Sequence, residues 1–153
     1  MNYKIRCATL EDAKLANSFL TKLIRDEKQY DKNINDNFIV NEMYENLITN
    51  QNNCLLVAEI DNELVGYLYG FIQDNGDSCI EPIAYIDAMF IEEEERCNGI
   101  ATALIQKFKC WVLDKKVRYI ELKVCTNNSN AISLYKKNGF NDLKTIMRVE
   151  LDK

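Results

Sequence analysis

A mixed α/β (α+β) fold is what this sequence predicts, and three observations predict it. Tyr85–Ile91 is an apolar run that leads, through the slim turn Arg96-Cys97-Asn98-Gly99, into a segment whose apolar residues recur at helical spacing: Ile100, Leu104, Phe108 and Trp111. A second unit follows the same order, with the strand pattern Tyr119–Val124 ahead of a helical face of Ala131, Leu134, Tyr135 and Asn138 that stops at Gly139. Before both, Cys54–Ile60 and Leu64–Ile72 alternate about Asp61-Asn62, the pattern of a hairpin.

The remaining elements are justified in chain order. Tyr3–Cys7 reads as a first strand. Thr9-Leu10-Glu11-Asp12 has the form of a capping box with Asp12 in place of the preferred Glu, and it opens a helix on which Leu15, Phe19 and Leu23 are spaced by four. Residues 25–38 are polar and rich in Asn and Asp, which predicts a loop, and Ile39–Thr49 predicts a second helix. Residues 73–82 form a second predicted loop, and Thr145–Leu151 a final strand. With no internal repeat, no low-complexity linker and a single proline, Pro82, there is no domain boundary; residues 1–153 are expected to fold as one domain, large enough to bury a core without staples.

Composition excludes several kinds of chemistry. Hydrophobic residues make up 47% and charged residues 28%, the balance of a soluble globular protein. No run of about 18 apolar residues occurs, and the stretch around Asn2, Lys4 and Arg6 lacks the apolar segment of a signal peptide, so a cytoplasmic location without a membrane partner is expected. Six cysteines without C-x-x-C spacing, in a chain with no histidine, leave a zinc site or a disulfide framework unsupported. Missing histidine also excludes Ser-His and Cys-His nucleophiles, so catalysis must use carboxylates, tyrosine, water and backbone dipoles. A net charge of −5 argues against nucleic acid and suits a cationic small molecule or peptide.

The turn before Ile100 can hold a pyrophosphate. The first turn of a helix leaves N–H groups unpaired at the positive end of its dipole. Gly99 lets an anion approach the main chain, Ala101 adds only a methyl, and Arg96 supplies a planar fork suited to phosphate oxygens. Cys97 lies in this loop, and is the one cysteine set apart from the buried small hydrophobes.

Arg96, Gly99 and Ala101 after a strand ending at Ile91, followed by Asn128, Ala131, Leu134-Tyr135 and Gly139-Phe140, closely resemble the two motifs of the GNAT superfamily of acetyl-coenzyme A dependent N-acetyltransferases. Either motif alone is weak; both in order, each after a strand and opening a helix, are specific. Ile5-Arg6 with Thr9, Glu11, Asp12 and Ala13 matches the family's N-terminal pattern, so the resemblance spans nearly the whole chain. It implies a central, twisted, mixed but mostly antiparallel sheet of about six to seven strands, flanked by about four helices and splayed between the strands at 84–91 and 119–124. It also implies acetyl-CoA as co-substrate, no metal, an amine acceptor on a small molecule or peptide, and commonly a homodimer.

Carried over residue by residue, the resemblance assigns the pyrophosphate to Arg96, Cys97, Asn98, Gly99, Ile100, Ala101 and Thr102, and places no nucleophile at Cys97. Main-chain groups of Met89 and Ile91, with Phe90 between them, should meet the thioester carbonyl and pantetheine arm. Asn128 should contact that arm or position its helix, and Tyr135 should border the cofactor and donate to its sulfur. The two loops should wall the acceptor cleft. Their acids, Asp26, Glu27, Asp31, Asp36, Asp74, Asp77 and Glu81, read first as solvated surface and second as an attraction for an ammonium group; Glu92–Glu95 read as solvated turn residues.

The implied reaction is direct attack of a neutral amine on the acetyl thioester, without an acetyl-enzyme. An alkylammonium is only about one part in 2,500 neutral at pH 7, a handicap of roughly 4.6 kcal/mol. Asp87, read as sharing a strand face with Tyr85, Met89 and Ile91, is the candidate to handle that proton; a charge paired inside the sheet is its other reading. An unperturbed Asp, with a pKa of about 3.9, is a poor direct base, so relay through water or orientation of the ammonium is expected. A non-catalytic acyl-CoA binding or sensing module is the alternative function, against which Asp87 and Tyr135 weigh.

Overall fold

Five strands lie side by side in chain order in the computed structural model, which describes residues 2–152: β1 (Lys4–Cys7), β2 (Asn53–Ile60), β3 (Glu63–Gln73), β4 (Ile83–Ile91) and β5 (Tyr119–Leu122). The first four are antiparallel neighbours, and β5 joins β4 in parallel. Four helices accompany them: α1 (Ala13–Glu27), α2 (Met43–Leu47), α3 (Ile100–Asp114) and α4 (Ser129–Lys137). Class, helix number and mixed sheet are as predicted, but the sheet has five strands, not six or seven. Thr145–Leu151 forms no ladder with any described strand, and a strand pattern becomes a strand only with a partner.

Local chemistry explains the elements that fall where predicted. Asp61 and Asn62 both adopt left-handed φ, 51° and 67°, the two-residue turn whose twist matches the flanking strands. The Thr9 N–H donates to the Asp12 carboxylate at 2.7 Å, and Arg6 bridges Asp12 (2.7 Å) and Glu59 (3.0 Å), tying β1, the helix entrance and β2 together. The entrance begins as a 3-10 turn, Leu10–Asp12, before α1.

Tertiary contacts override the pattern elsewhere. Helix α1 continues to Glu27, shortening the loop predicted from residue 25, and the helix predicted over 39–49 shrinks to five residues. Glu42 is left-handed at φ 55°, the Val40 N–H is held by the Thr21 hydroxyl at 3.0 Å, and the Tyr44 N–H by the Asn17 side chain at 3.0 Å. Buried groups on α1 thus dictate the path of this segment.

The sheet is covered on both faces. On one, Leu56, Leu68, Ala84 and Ile86 pack with Ile100, Leu104, Ile105 and Phe108 of α3. A side chain at Gly70 would place its first carbon 2.4 Å from the Phe108 ring, so this strand position admits only glycine. On the other, Val57, Tyr67, Tyr69, Ala88 and Phe90 pack with Ala16 and Phe19 of α1 and Tyr44 of α2.

Candidate active site

Strands β4 and β5 pair only from Ile83–Tyr119 to Ile86–Leu122, and then part. Residues 87–91 therefore present one main-chain edge that no described strand covers. The Glu92 N–H donates to the Val65 carbonyl at 2.8 Å; by the alternation of an antiparallel ladder, the main-chain groups of Phe90 also face β3, and those of Met89 and Ile91 face the opening. Phe90 stands behind the opening, its ring packed 5.6 Å from that of Phe19.

Asp87 is a bulge. Tyr69 pairs with Ala88 and Gly70 with Ile86, which leaves Asp87 without a partner residue across the strands. The expectation that Asp87 shares a face with Met89 and Ile91 is corrected by this extra residue. Ile91 and Met89 pack toward α3, whereas the Tyr85 ring packs tilted against Phe71 on the α1 side, and Asp87 lies within electrostatic range of Tyr44, Tyr67 and Tyr69 on that same side. The side chain is exposed in the opening, yet desolvation still lifts its carboxyl above the usual range, with Lys123 pulling the other way. Glu27, at the end of α1, is half-buried; burial, and then the charge of Asp87, raise its carboxyl too.

Beneath these acids lies a tyrosine pair that no local pattern announces. The hydroxyls of Tyr44 and Tyr67 meet at 2.9 Å in the core, and burial holds both phenols protonated. Tyr69, also raised by burial, stands at about 12.

At the other end of β4, the loop to α3 alternates unusual backbone: Cys97 is left-handed at φ 64° and Gly99 at φ 84°. A first side-chain carbon on Gly99 would meet only the Tyr3 hydroxyl, at 3.6 Å, so it is the conformation, and not crowding, that calls for glycine. Gly99 precedes Ile100, Ala101 and Thr102, whose N–H groups have no main-chain acceptor among the described residues. The Arg96 guanidinium lies 5.4 Å from the Phe90 ring; its Nε donates to the Ile91 carbonyl at 2.8 Å, and it pairs loosely with Asp26 at 3.4 Å. Asn98 donates to the Glu95 carbonyl at 3.3 Å, holding the loop to the preceding 3-10 turn. Ile100 is buried, and Cys97 is exposed.

Helix α4 closes the α3 side. The Asn128 side chain caps it, accepting from the Ala131 N–H at 3.2 Å, which is the helix-positioning role. Tyr135 packs against the α3-side core and edge-on to Phe140, with ring centroids 5.8 Å apart. Burial pushes its phenol up to about 12, with Glu27 adding to the effect, so it is a proton donor throughout the neutral range. Asp87 and Tyr135 thus belong to opposite faces of the sheet, with the β4–β5 opening between them.

Of the seven loop acids, Asp26, Asp31 and Glu81 are engaged by Arg96, Arg148 and Arg118. Glu27 is the one whose carboxyl is raised by Asp87. Glu92 is paired with Lys22, and Glu93–Glu95 form a 3-10 turn. A concavity of about 290 Å³ adjoins the loop, lined by Lys22, Arg25, Phe90, Glu92 and Arg96 among others; the larger one, about 580 Å³, lies between α1 and residues 39–45 and shares no wall with the opening. Among the described residues no cluster of potential metal ligands occurs, and no helix is long and apolar enough to cross a membrane.

A sheet parted beside a glycine-led helix, with a tyrosine-bearing helix across the gap, is the frame of an acyltransferase domain. Residues 17–140 match the acetyltransferase (GNAT) family, and the chain belongs to it. An N-alpha-acetyltransferase of Sulfurisphaera tokodaii is 34% identical over 104 residues, covering 63% of this chain and 61% of that protein. A streptothricin acetyltransferase from Escherichia coli is 35% identical over 83 residues, covering 54% and 44%. The chain therefore spans less than two thirds of the length of either relative. The tetramutant of the BH1408 protein from Bacillus halodurans shares the fold, with a TM-score of 0.86 over 97% of this chain and 99% of that one at 20% identity.

Proposed function

We propose that this chain transfers an acetyl group from acetyl-CoA to a primary amine of a small molecule or peptide, by direct attack within a ternary complex. The observation that carries the reading is the uncovered edge of residues 87–91, bounded by the free N–H groups of α3 at one end and by raised carboxyls at the other. The family, and the N-acetyltransferase names of its relatives, support it.

The residues present fit acetyl-CoA, which would supply an acetyl group activated as a thioester. Ile100, Ala101 and Thr102 would offer their N–H groups to the pyrophosphate, helped by the loop Arg96–Gly99. Met89 and Ile91 would offer main-chain groups to the acyl and pantetheine portion; a backbone N–H there stabilises developing charge on the carbonyl oxygen without any special side chain. Phe90 supports this edge from behind.

On the acceptor side, Asp87 and Glu27 would attract and orient an ammonium group. Asp87, its pKa already raised, is better matched to accept the amine proton through water than an ordinary carboxylate is. As the N–C bond forms and the C–S bond breaks, Tyr135 would donate toward the departing sulfur. A thiol with a pKa of about 8.5 leaves fairly well unaided, so this donation assists without being indispensable.

The test is a calorimetric titration with acetyl-CoA, followed by a free-thiol assay against polyamines, aminoglycosides, amino acids and peptides. Micromolar binding with amine-dependent thiol release supports the transferase. Binding without release from any amine favours the non-catalytic acyl-CoA module, and absence of binding overturns the assignment of Arg96–Thr102.

A further inference from the structure

Past the last β4–β5 pair, Ile86 with Leu122, the next residue on each side is charged: Asp87 on β4 and Lys123 just after β5. The two stand at the fork where the sheet parts. Ile120 and Leu122 pack into the α3-side core, so strand alternation turns Lys123 to the α1 side, the side on which Asp87 lies. Their nearness shows at the Asp87 carboxyl, where Lys123 is the charge that opposes desolvation.

Lys123 is exposed, and its ammonium takes part in none of the hydrogen bonds or ion pairs among the described residues. Other lysines are occupied: Lys22 pairs with Glu92, Lys28 donates to the carbonyls of Lys32 and Ile34, and Lys109 donates to that of Asn138. An unclaimed lysine keeps a flexible four-carbon stem, free to swing its nitrogen along the opening. Met89, whose main-chain groups face the same opening, lies two residues beyond Asp87, roughly 7 Å further along the strand. A nucleophile, a carboxylate and the edge offered to an acyl group are thus held together in one chain.

On the acetyl-CoA reading of the opening, we infer that Lys123 is a self-acetylation site, its ε-amine taking the acetyl group of a cofactor bound to the same chain. The ammonium first gives one proton to water. The neutral nitrogen then attacks the acetyl carbonyl. As the N–C bond forms and the C–S bond breaks, a second nitrogen proton passes to the Asp87 carboxylate and the departing sulfur takes one from Tyr135, which Asp87 restores through solvent. The products are a neutral amide on Lys123, free coenzyme A thiol and one proton. Attack within one chain needs no external acceptor and gains the advantage of held reactants. It also alters the site: an amide carries no charge, so the acetylated chain presents Asp87 and Glu27 to an incoming ammonium without a competing cation.

The test incubates the full chain with acetyl-CoA and no amine, following intact mass, free thiol and, by peptide mapping, the modified position. One acetyl group per chain is expected, on Lys123, at a rate per chain that does not change with protein concentration. Lys123→Arg should remove the modification and keep acetyl-CoA affinity. Lys32→Arg, at a lysine held by Glu150, should leave the modification in place, and Asp87→Asn should slow it roughly 10- to 100-fold. Labelling of Lys123 at the parent rate in Gly99→Val, the variant expected to lose the cofactor, would be ordinary chemical acetylation and would overturn self-acetylation. A rate that rises with protein concentration would overturn it too, as would an unmodified Lys123 in a chain that binds acetyl-CoA. If that unmodified chain still acetylates added amines, the transferase reading stands alone. A chain that does not bind acetyl-CoA overturns both.

Discussion

The side-chain amide of Asn138 donates to the Thr102 hydroxyl at 3.3 Å and to the Leu134 carbonyl at 2.9 Å, while its oxygen accepts from Gln106 at 3.2 Å. One buried residue at the end of α4 thereby fixes that helix to the first two turns of α3. Asn138→Leu keeps the volume and strands these partners. Loss of about 2 kcal/mol is expected, seen as a fall of roughly 4–8 °C in Tm, with weaker acetyl-CoA binding by calorimetry. An unchanged melting curve would show the link to be incidental.

At Gly99 the prediction separates binding from folding. Valine cannot adopt φ 84° without strain, and the residue sits on the surface, so Gly99→Val should distort the loop and abolish acetyl-CoA binding while the far-ultraviolet circular dichroism stays native. Retained affinity would remove this loop from cofactor binding.

Tyr135→Phe deletes one hydroxyl from a ring held in place by Phe140. Turnover should fall roughly 10- to 1,000-fold with a smaller change in acetyl-CoA affinity, the signature of an interaction made mainly in the transition state. If single-turnover rates match the parent, the phenol does not serve the leaving sulfur.

The raised carboxyl of Asp87 gives a pH prediction with two opposite signs. Its ionised form is the one that accepts a proton, so kcat/KM should rise with pH through a value above the ordinary carboxylate range; Asp87→Asn should lower turnover roughly 10- to 100-fold and erase that limb. Stability runs the other way. A carboxyl that holds its proton more tightly in the folded chain favours folding as pH falls, so Asp87→Asn should melt slightly higher than the parent at pH 7. Profiles of the same shape in both proteins would exclude Asp87 from proton handling.

Asp12 behaves in the reverse sense. Its hydrogen bond to Arg6 lowers the carboxyl pKa below the usual 3.8, so the stabilisation is complete above that value and is lost as pH falls toward the depressed one. Asp12→Asn should cost about 1–2 kcal/mol at pH 7 and flatten the acid limb of a Tm-against-pH plot below the usual carboxylate range. Equal acid sensitivity in the variant would assign that limb to other groups.

What could be read from the sequence is what neighbours in sequence decide. The turn at Asp61-Asn62, the glycine before α3 and the stop at Gly139 each follow from a few adjacent residues, and so did the two motifs. The parting of the sheet came with the family likeness. What stayed hidden depends on partners far along the chain. The bulge at Asp87 exists only against the register of β3, so simple alternation put Met89 and Ile91 on the wrong side of it. The Tyr44–Tyr67 contact joins residues 23 positions apart, α2 is trimmed by Asn17 and Thr21 of α1, and the pattern at 145–151 has no ladder with any described strand.

Asp87 is one residue more than β4 requires. With it left out, Ile86, Ala88, Met89, Phe90 and Ile91 alternate between the two faces of the sheet without a break. Under the proposed function Asp87 would therefore face the acceptor while holding no place in either core, and Met89, Phe90 and Ile91 pack the strand with their side chains. A different side chain at this position would alter what faces the proposed acceptor while the hydrophobic sequence around it stays the same, so the bulge can change without repacking the strand.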